Sequence, residues 1–158
     1  MDEKFWEKIY SLQENGEFEK IIKEIKKLPK DKLDMKLISV LSRAYINLED
    51  FENALNTNLS FLGKAKEDVT NADIWIYSEC GWICNEIRDF EQGLKYLLEA
   101  EKLGRDDEWL NTEIGQCLGK LDRAEEGLER LKKSLKLIEA EDTENIYKKI
   151  FIYSEIGY

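Results

Sequence analysis

The 158-residue chain contains no histidine. That absence excludes Ser-His-Asp and Cys-His catalysis, imidazole metal ligation and a histidine switch near neutral pH. A single proline, Pro29, leaves few positions where helix is forbidden. No apolar run reaches the roughly 18 residues that would span a bilayer. The opening MDEKFWEKIY alternates charged and apolar residues and does not form a secretion signal. The expected location is cytoplasmic, with no membrane partner. Positive charge is also scarce, with 24 Lys and Arg against 34 Asp and Glu, a net charge of −10. Residues 1–36 hold nine of each sign, so the whole excess lies in residues 37–158. Nucleic-acid binding draws on clustered cations, which this chain does not offer. A basic or mainly apolar protein or peptide suits the field better.

Cysteine is too sparse for a structural zinc site, which takes four Cys or His ligands; there are three cysteines. Cys80 and Cys84 do not form a C-x-x-C motif and would lie side by side on one helix face, a poor geometry for a disulfide. All three are expected to be buried core thiols. No phosphate-cradling glycine loop or cofactor motif is present. The acidic pairs Glu125-Glu126 and Asp106-Asp107 read as solvated helix charges. Neither enzyme activity nor a cofactor is expected.

What the chain does contain is helix-forming sequence in repeats: hydrophobic residues make up 42% and charged residues 37%. Residues 41–55, LSRAYINLEDFENAL, align with 80–94, CGWICNEIRDFEQGL, and with 114–128, IGQCLGKLDRAEEGL. Small residues meet at Ser42, Gly81 and Gly115, and again at Ala54, Gly93 and Gly127. Phe51, Phe90 and Ala124 share a slot after an acid-bearing turn. Residues 8–22, KIYSLQENGEFEKII, form a weaker copy, with Gly16 and Phe18 in the places of Glu49 and Phe51. The spacings are 33, 39 and 34 residues, and the five extra residues fall in the polar stretch 64–72.

Each unit reads as two helices, with apolar residues at three-to-four spacing such as Ile76, Cys80, Ile83 and Ile87. Helices are predicted near 2–14, 17–28, 33–47, 50–62, 71–86, 89–103, 107–120, 123–138 and 143–156. Asp89 with Gln92, and Asp122 with Glu125, fit the helix-start capping box. Gly63 and Gly104 stand where helix C-terminal glycines belong. The recurring Gly, Ala and Ser are expected where paired helices approach closely.

This pattern resembles the tetratricopeptide repeat. LSRAY (41–45) with EDFENA (49–54) is the nearest match, followed by CG (80–81) with RDFEQG (88–93) and IG (114–115) with LDRAEEG (121–127). The resemblance implies an all-α fold: a right-handed α-α superhelix, or solenoid, of about four helix pairs plus a C-terminal helix. It implies one domain over 1–158, with repeats near 2–30, 33–66, 71–104 and 107–139 and a terminal helix at 142–157. The family's proline appears only as Pro29, earlier than usual, and Lys8-Ile9 stands where Leu-Gly would.

The resemblance also implies a concave groove lined by one row of each first helix. In the second repeat that row is Lys36, Ser39, Arg43 and Ile46. In the third it is Trp75, Ser78, Trp82 and Asn85, and in the fourth Trp109, Thr112, Gln116 and Gly119. Glu79 and Glu113 lie beside it. Trp6 and Tyr10 represent the first repeat, Tyr147 and Phe151 the last helix. All four tryptophans fall on first helices, where recognition anchors would be placed, although Trp75 and Trp109 in matching slots could equally pack between repeats. The family's carboxylate clamp requires Asn in the slot held here by Tyr10, Arg43, Trp82 and Gln116, so the clamp is absent.

The implied function is a scaffold that grips a peptide or helix of a partner protein. The unpaired last helix, apolar around most of its surface, gives the alternative: self-association into a homo-oligomer. The abundance of lysine, isoleucine and glutamate points to a bacterial source.

Overall fold

A computed structural model describes residues 2–65, 68–140 and 146–156, with the side chains of residues 146, 147, 149 and 150 outside that description. Among the described residues there are nine α-helices and no strand. They are α1 (Glu3–Glu14), α2 (Phe18–Lys26), α3 (Met35–Asn47), α4 (Phe51–Leu59), α5 (Val69–Glu86), α6 (Phe90–Lys102), α7 (Glu108–Lys120), α8 (Ala124–Ala140) and α9 (Ile146–Ile156). The all-helical repeat fold expected from the sequence is the fold observed. A short 3-10 turn, Lys30–Lys32, follows Pro29, whose missing N–H and fixed φ end the preceding segment. No described helix is long and apolar enough to cross a membrane.

The chain forms two compact units, residues 1–72 and 73–158. In the first, α1 packs on α2, α2 on α3, and α3 on α4, around buried Ile9, Ile21, Ile25, Leu37, Leu41 and Ala54. In the second, α6 and α7 share a core of Leu94, Leu97, Ala100, Leu110, Ile114, Cys117 and Leu118. Leu131, Ile138 and Ile152 carry that packing on to α8 and α9.

The backbone repeats more faithfully than the sequence does. After each first helix one residue turns left-handed: Gly16 (φ 68°), Glu49 (57°), Arg88 (65°) and Asp122 (58°). In each case the next amide donates to the carbonyl five residues back: Glu17 to Leu12, Asp50 to Tyr45, Asp89 to Cys84 and Arg123 to Leu118, at 2.8–2.9 Å. This is the Schellman closure of a helix end, usually given to glycine, yet only the first copy has one. Aspartates then start the helices. Asp34 accepts from Leu37 N–H, Asp50 from Asn53 N–H, Asp89 from Gln92 N–H and Asp107 from Leu110 N–H.

One expected cap is corrected. Asp122 occupies the left-handed turn, so Arg123, not Asp122, immediately precedes α8. The Arg123 guanidinium then reaches forward to Glu126 through two 2.7 Å bonds.

Within the second unit the small residues lie at helix crossings. A Cβ on Gly81 would stand 2.6 Å from Leu97 Cγ, and one on Gly115 2.9 Å from Leu131 Cγ. A Cβ on Gly127 would stand 2.8 Å from the backbone oxygen of Gly115. Real side chains do not approach that closely, so only glycine permits these contacts.

Candidate functional site

In the second unit, α5 and α7 bring part of the expected row together around Asn85. Its Nδ2 donates to Glu113 Oε2 at 2.9 Å, and its Oδ1 accepts from Cys117 Sγ at 2.8 Å. The two bonds have different polarity, and together they fix which way the amide faces. Burial pushes the Cys117 thiol up to about 12, so it stays protonated and able to donate. Gly93 on α6 makes the arrangement possible, because a Cβ there would fall on Asn85 Oδ1. Glu113 is half-buried, and burial pushes its carboxyl above the ordinary range. The Asn85 amide opposes that shift, Glu86 adds to it, and Arg105 opposes it.

Tryptophans flank the cluster along the same helices. Trp75 and Trp82 on α5 and Trp109 on α7 are all half-buried. Trp109 packs against the α6–α7 core on one side. Arg105 also lies over its ring, 4.4 Å from the centroid, while bonding Asp107 at 2.7 Å. Gln116 borders a cleft of about 370 Å³ lined also by Gly119, Gly127, Leu131 and Ile156. Gly119 stands in the repeat slot of Asn85 and supplies no side chain to fill that space.

Glu79 is half-buried on α5. Ser78 and Thr112, expected in the row, are only 2% and 8% exposed. Ser78 Oγ bonds Ile74 O at 2.7 Å, and Thr112 Oγ1 bonds Glu108 O and Ser134 Oγ at 2.8 Å each. Their slot serves packing, a correction to the expected row. Phe151 on α9 is 48% exposed; Tyr147 lies on the same helix, with its side chain outside the described set.

In the first unit, Trp6 and Tyr10 stack with centroids 5.9 Å apart. Lys36, one repeat later, sets its ammonium 3.7 Å over Trp6 and 5.5 Å over Tyr10. Arg43, on the same helix as Lys36, is exposed.

Neither Cys117 as the group that orients Asn85 nor Arg105 as a cover for Trp109 was anticipated. The alignment held a signal for the first, since Cys117 replaces apolar Ile83 and Ala44 with a weak donor. For Arg105, the signal was only its place two residues before the cap Asp107.

The three thiols are buried and free. Burial raises all three, Cys80 furthest and Cys84 to about 11, so none is a ready thiolate. Among the described residues no group of three or more Cys, Asp or Glu is placed to hold a metal ion.

Helix pairs closed by the same turn, crossing at small residues, define a tetratricopeptide-like helical-repeat fold. Among solved structures the chain is similar to MamA from MSR-1, with TM-score 0.63 and 14% identity over 97% of this chain and 85% of that one. It is also similar to MamA from AMB-1 in two crystal forms. One has TM-score 0.64 and 15% identity over 96% of this chain and 80% of that one. The other has TM-score 0.61 and 15% identity over 96% and 86%. At such identity the likeness concerns the fold. No protein-family model matches the chain, and no curated protein matches it.

Proposed function

We propose that the chain is a protein-interaction scaffold without catalytic activity of its own, which grips a peptide or helix of a partner protein. In the second unit the recognition row comprises Trp75, Glu79, Trp82, Asn85, Trp109, Glu113, Gln116 and Phe151, with Tyr147 beside Phe151. In the first unit the contact residues are Trp6 and Tyr10 on α1 and Arg43 on α3. The observation that carries this reading is the Asn85–Glu113 pair, fixed by Cys117 and flanked by half-buried tryptophans on the same two helices. Tryptophan offers large area with few rotatable bonds, and a pre-oriented amide and carboxylate set register at low entropic cost. The net charge of −10 favours a basic or apolar partner. The test is capture from cell extract by wild-type protein and by a Trp75→Ala/Trp82→Ala variant shown by circular dichroism to be folded. A partner held only by the wild type is the expected result. Identical capture by both would remove the tryptophans from the binding surface.

Self-association is the second reading. Phe151 and Tyr153 on α9 are 48% and 38% exposed, and α9 borders the cleft at Gly119. Mass measurement in solution at high micromolar concentration separates the two, since a strict monomer leaves α9 as a simple cap.

A further inference from the structure

Half-buried carboxylates of the second unit differ in what neutralises them. Glu101 pairs with Arg130 and Glu108 with Lys148, and each bond draws the carboxyl below its ordinary range. Glu113, one and a half turns beyond Glu108 on α7, is pushed the other way. Arg105, the cation that acts on it, is committed to Asp107 and to the Trp109 ring. Among the described residues no cation pairs with Glu113, and the Asn85 amide is its hydrogen-bond donor.

Three helices nevertheless hold this carboxylate in place. Gly93 on α6 leaves room for Asn85 on α5 to lie across, and the Cys117 thiol on α7 turns the Asn85 amide toward Glu113. An uncompensated charge in a half-buried site opposes folding. Residues that cost stability while being held in one geometry are characteristic of binding sites.

Resting on the groove reading above, we infer that Glu113 is the receptor for one cationic side chain of the partner polypeptide, oriented for it by Asn85 and Cys117. Arginine fits better than lysine. Its guanidinium is weakly hydrated, binds carboxylates through a planar fork, and stacks on indole rings such as that of Trp82.

The test titrates three short peptides, acetyl-Ala-Arg-Ala-amide and its lysine and citrulline counterparts. The proteins are the wild type, Glu113→Gln, Trp82→Ala and, as a charge control, Glu139→Gln on exposed α8 surface. Binding is read from the side-chain amide signal of Asn85 by NMR, with circular dichroism confirming each fold. The arginine peptide is expected to shift that signal in the wild type and in Glu139→Gln. Glu113→Gln, and the neutral citrulline peptide on any protein, should bind about tenfold more weakly. A lysine peptide that binds better than arginine would overturn the choice of guanidinium. Equal affinities for Glu113→Gln and wild type, or no wild-type binding at millimolar peptide, would overturn the inference. If Trp82→Ala alone weakens binding, the groove reading stands and the Glu113 receptor falls. If Glu113→Gln alone weakens it, the receptor stands and Trp82 leaves the groove.

Discussion

Asn58 and Asn111 are both fully buried asparagines, one in each unit, and they are treated in opposite ways. Asn111 donates to Asp106 at 2.8 Å and to Asp107 O at 2.9 Å, and accepts from Arg130 at 3.2 Å. Arg130 in turn holds Glu101, and Lys133 holds Asp106 at 2.7 Å, so every charge in the network has a partner. Asn58 has no hydrogen-bond partner on either side-chain atom, and neither has buried Ser42. The repeat alignment explains why this matters. Ser42 and Asn58 occupy the slots of Gly81 and Leu97, and of Gly115 and Leu131, which meet at the crossings of the second unit. Where that unit closes its crossings with glycine against leucine, the α3–α4 crossing buries three polar atoms unsatisfied. Each such atom costs about 1–3 kcal/mol. The same repeat is therefore built tightly in one unit and weakly in the other, and the Asn85–Glu113 cluster lies in the tight one.

The contrast can be broken most forcefully at Gly127. Gly127→Val would drive a side chain into the Gly115 backbone oxygen and should cost about 3 kcal/mol in denaturant unfolding. Converting the weak crossing to the strong pattern, with Ser42→Gly/Asn58→Leu, should raise stability by about 2 kcal/mol; a loss would mean that Asn58 is satisfied by bound water. Gly119 separates close approach from mere smallness, because a Cβ there meets nothing within 4 Å. Gly119→Ala should gain about 1 kcal/mol from helix propensity alone. The smallest effect is expected for Glu113→Gln. Because burial raises the Glu113 carboxyl, the folded state binds its proton more tightly than the unfolded chain does. Its contribution is present below the ordinary carboxylate range and is lost as pH rises through the raised value. The variant should thus melt higher than wild type at pH 7, with the gain disappearing in acid.

Much of the fold was legible because it is periodic. The three-to-four spacing placed every helix within a few residues, and the small slots at 42, 81 and 115 marked the first helices. The left-handed turns were hidden, since Glu49, Arg88 and Asp122 carry none of glycine's signal and are set by the helix ends around them. The misplaced cap at Asp122 came from reading an Asp-x-x-Glu pattern locally, when the repeat register already put Arg123 in the cap slot. Ser78 and Thr112 turned inward because their hydroxyls satisfy carbonyls one turn back, Ile74 and Glu108, and so can be buried. The Asn85 cluster was half visible. Asn85 and Glu113 were named from their slots, but their bond joins residues 28 apart, and its orientation depends on Cys117 and Gly93, which read as packing. Continued past the aligned windows, the repeat register puts Asn58 in a leucine slot, a departure that only its burial makes meaningful.

Native-state amide hydrogen exchange tests most directly the claim that one repeat pattern makes a tight crossing in the second unit, where the candidate site lies, and a weak one in the first. The account predicts that amides at the α3–α4 crossing, around Ser42 and Asn58, exchange through a smaller opening free energy than those at the α7–α8 crossing around Gly115 and Leu131. Equal protection at the two crossings, or greater protection at α3–α4, would contradict it.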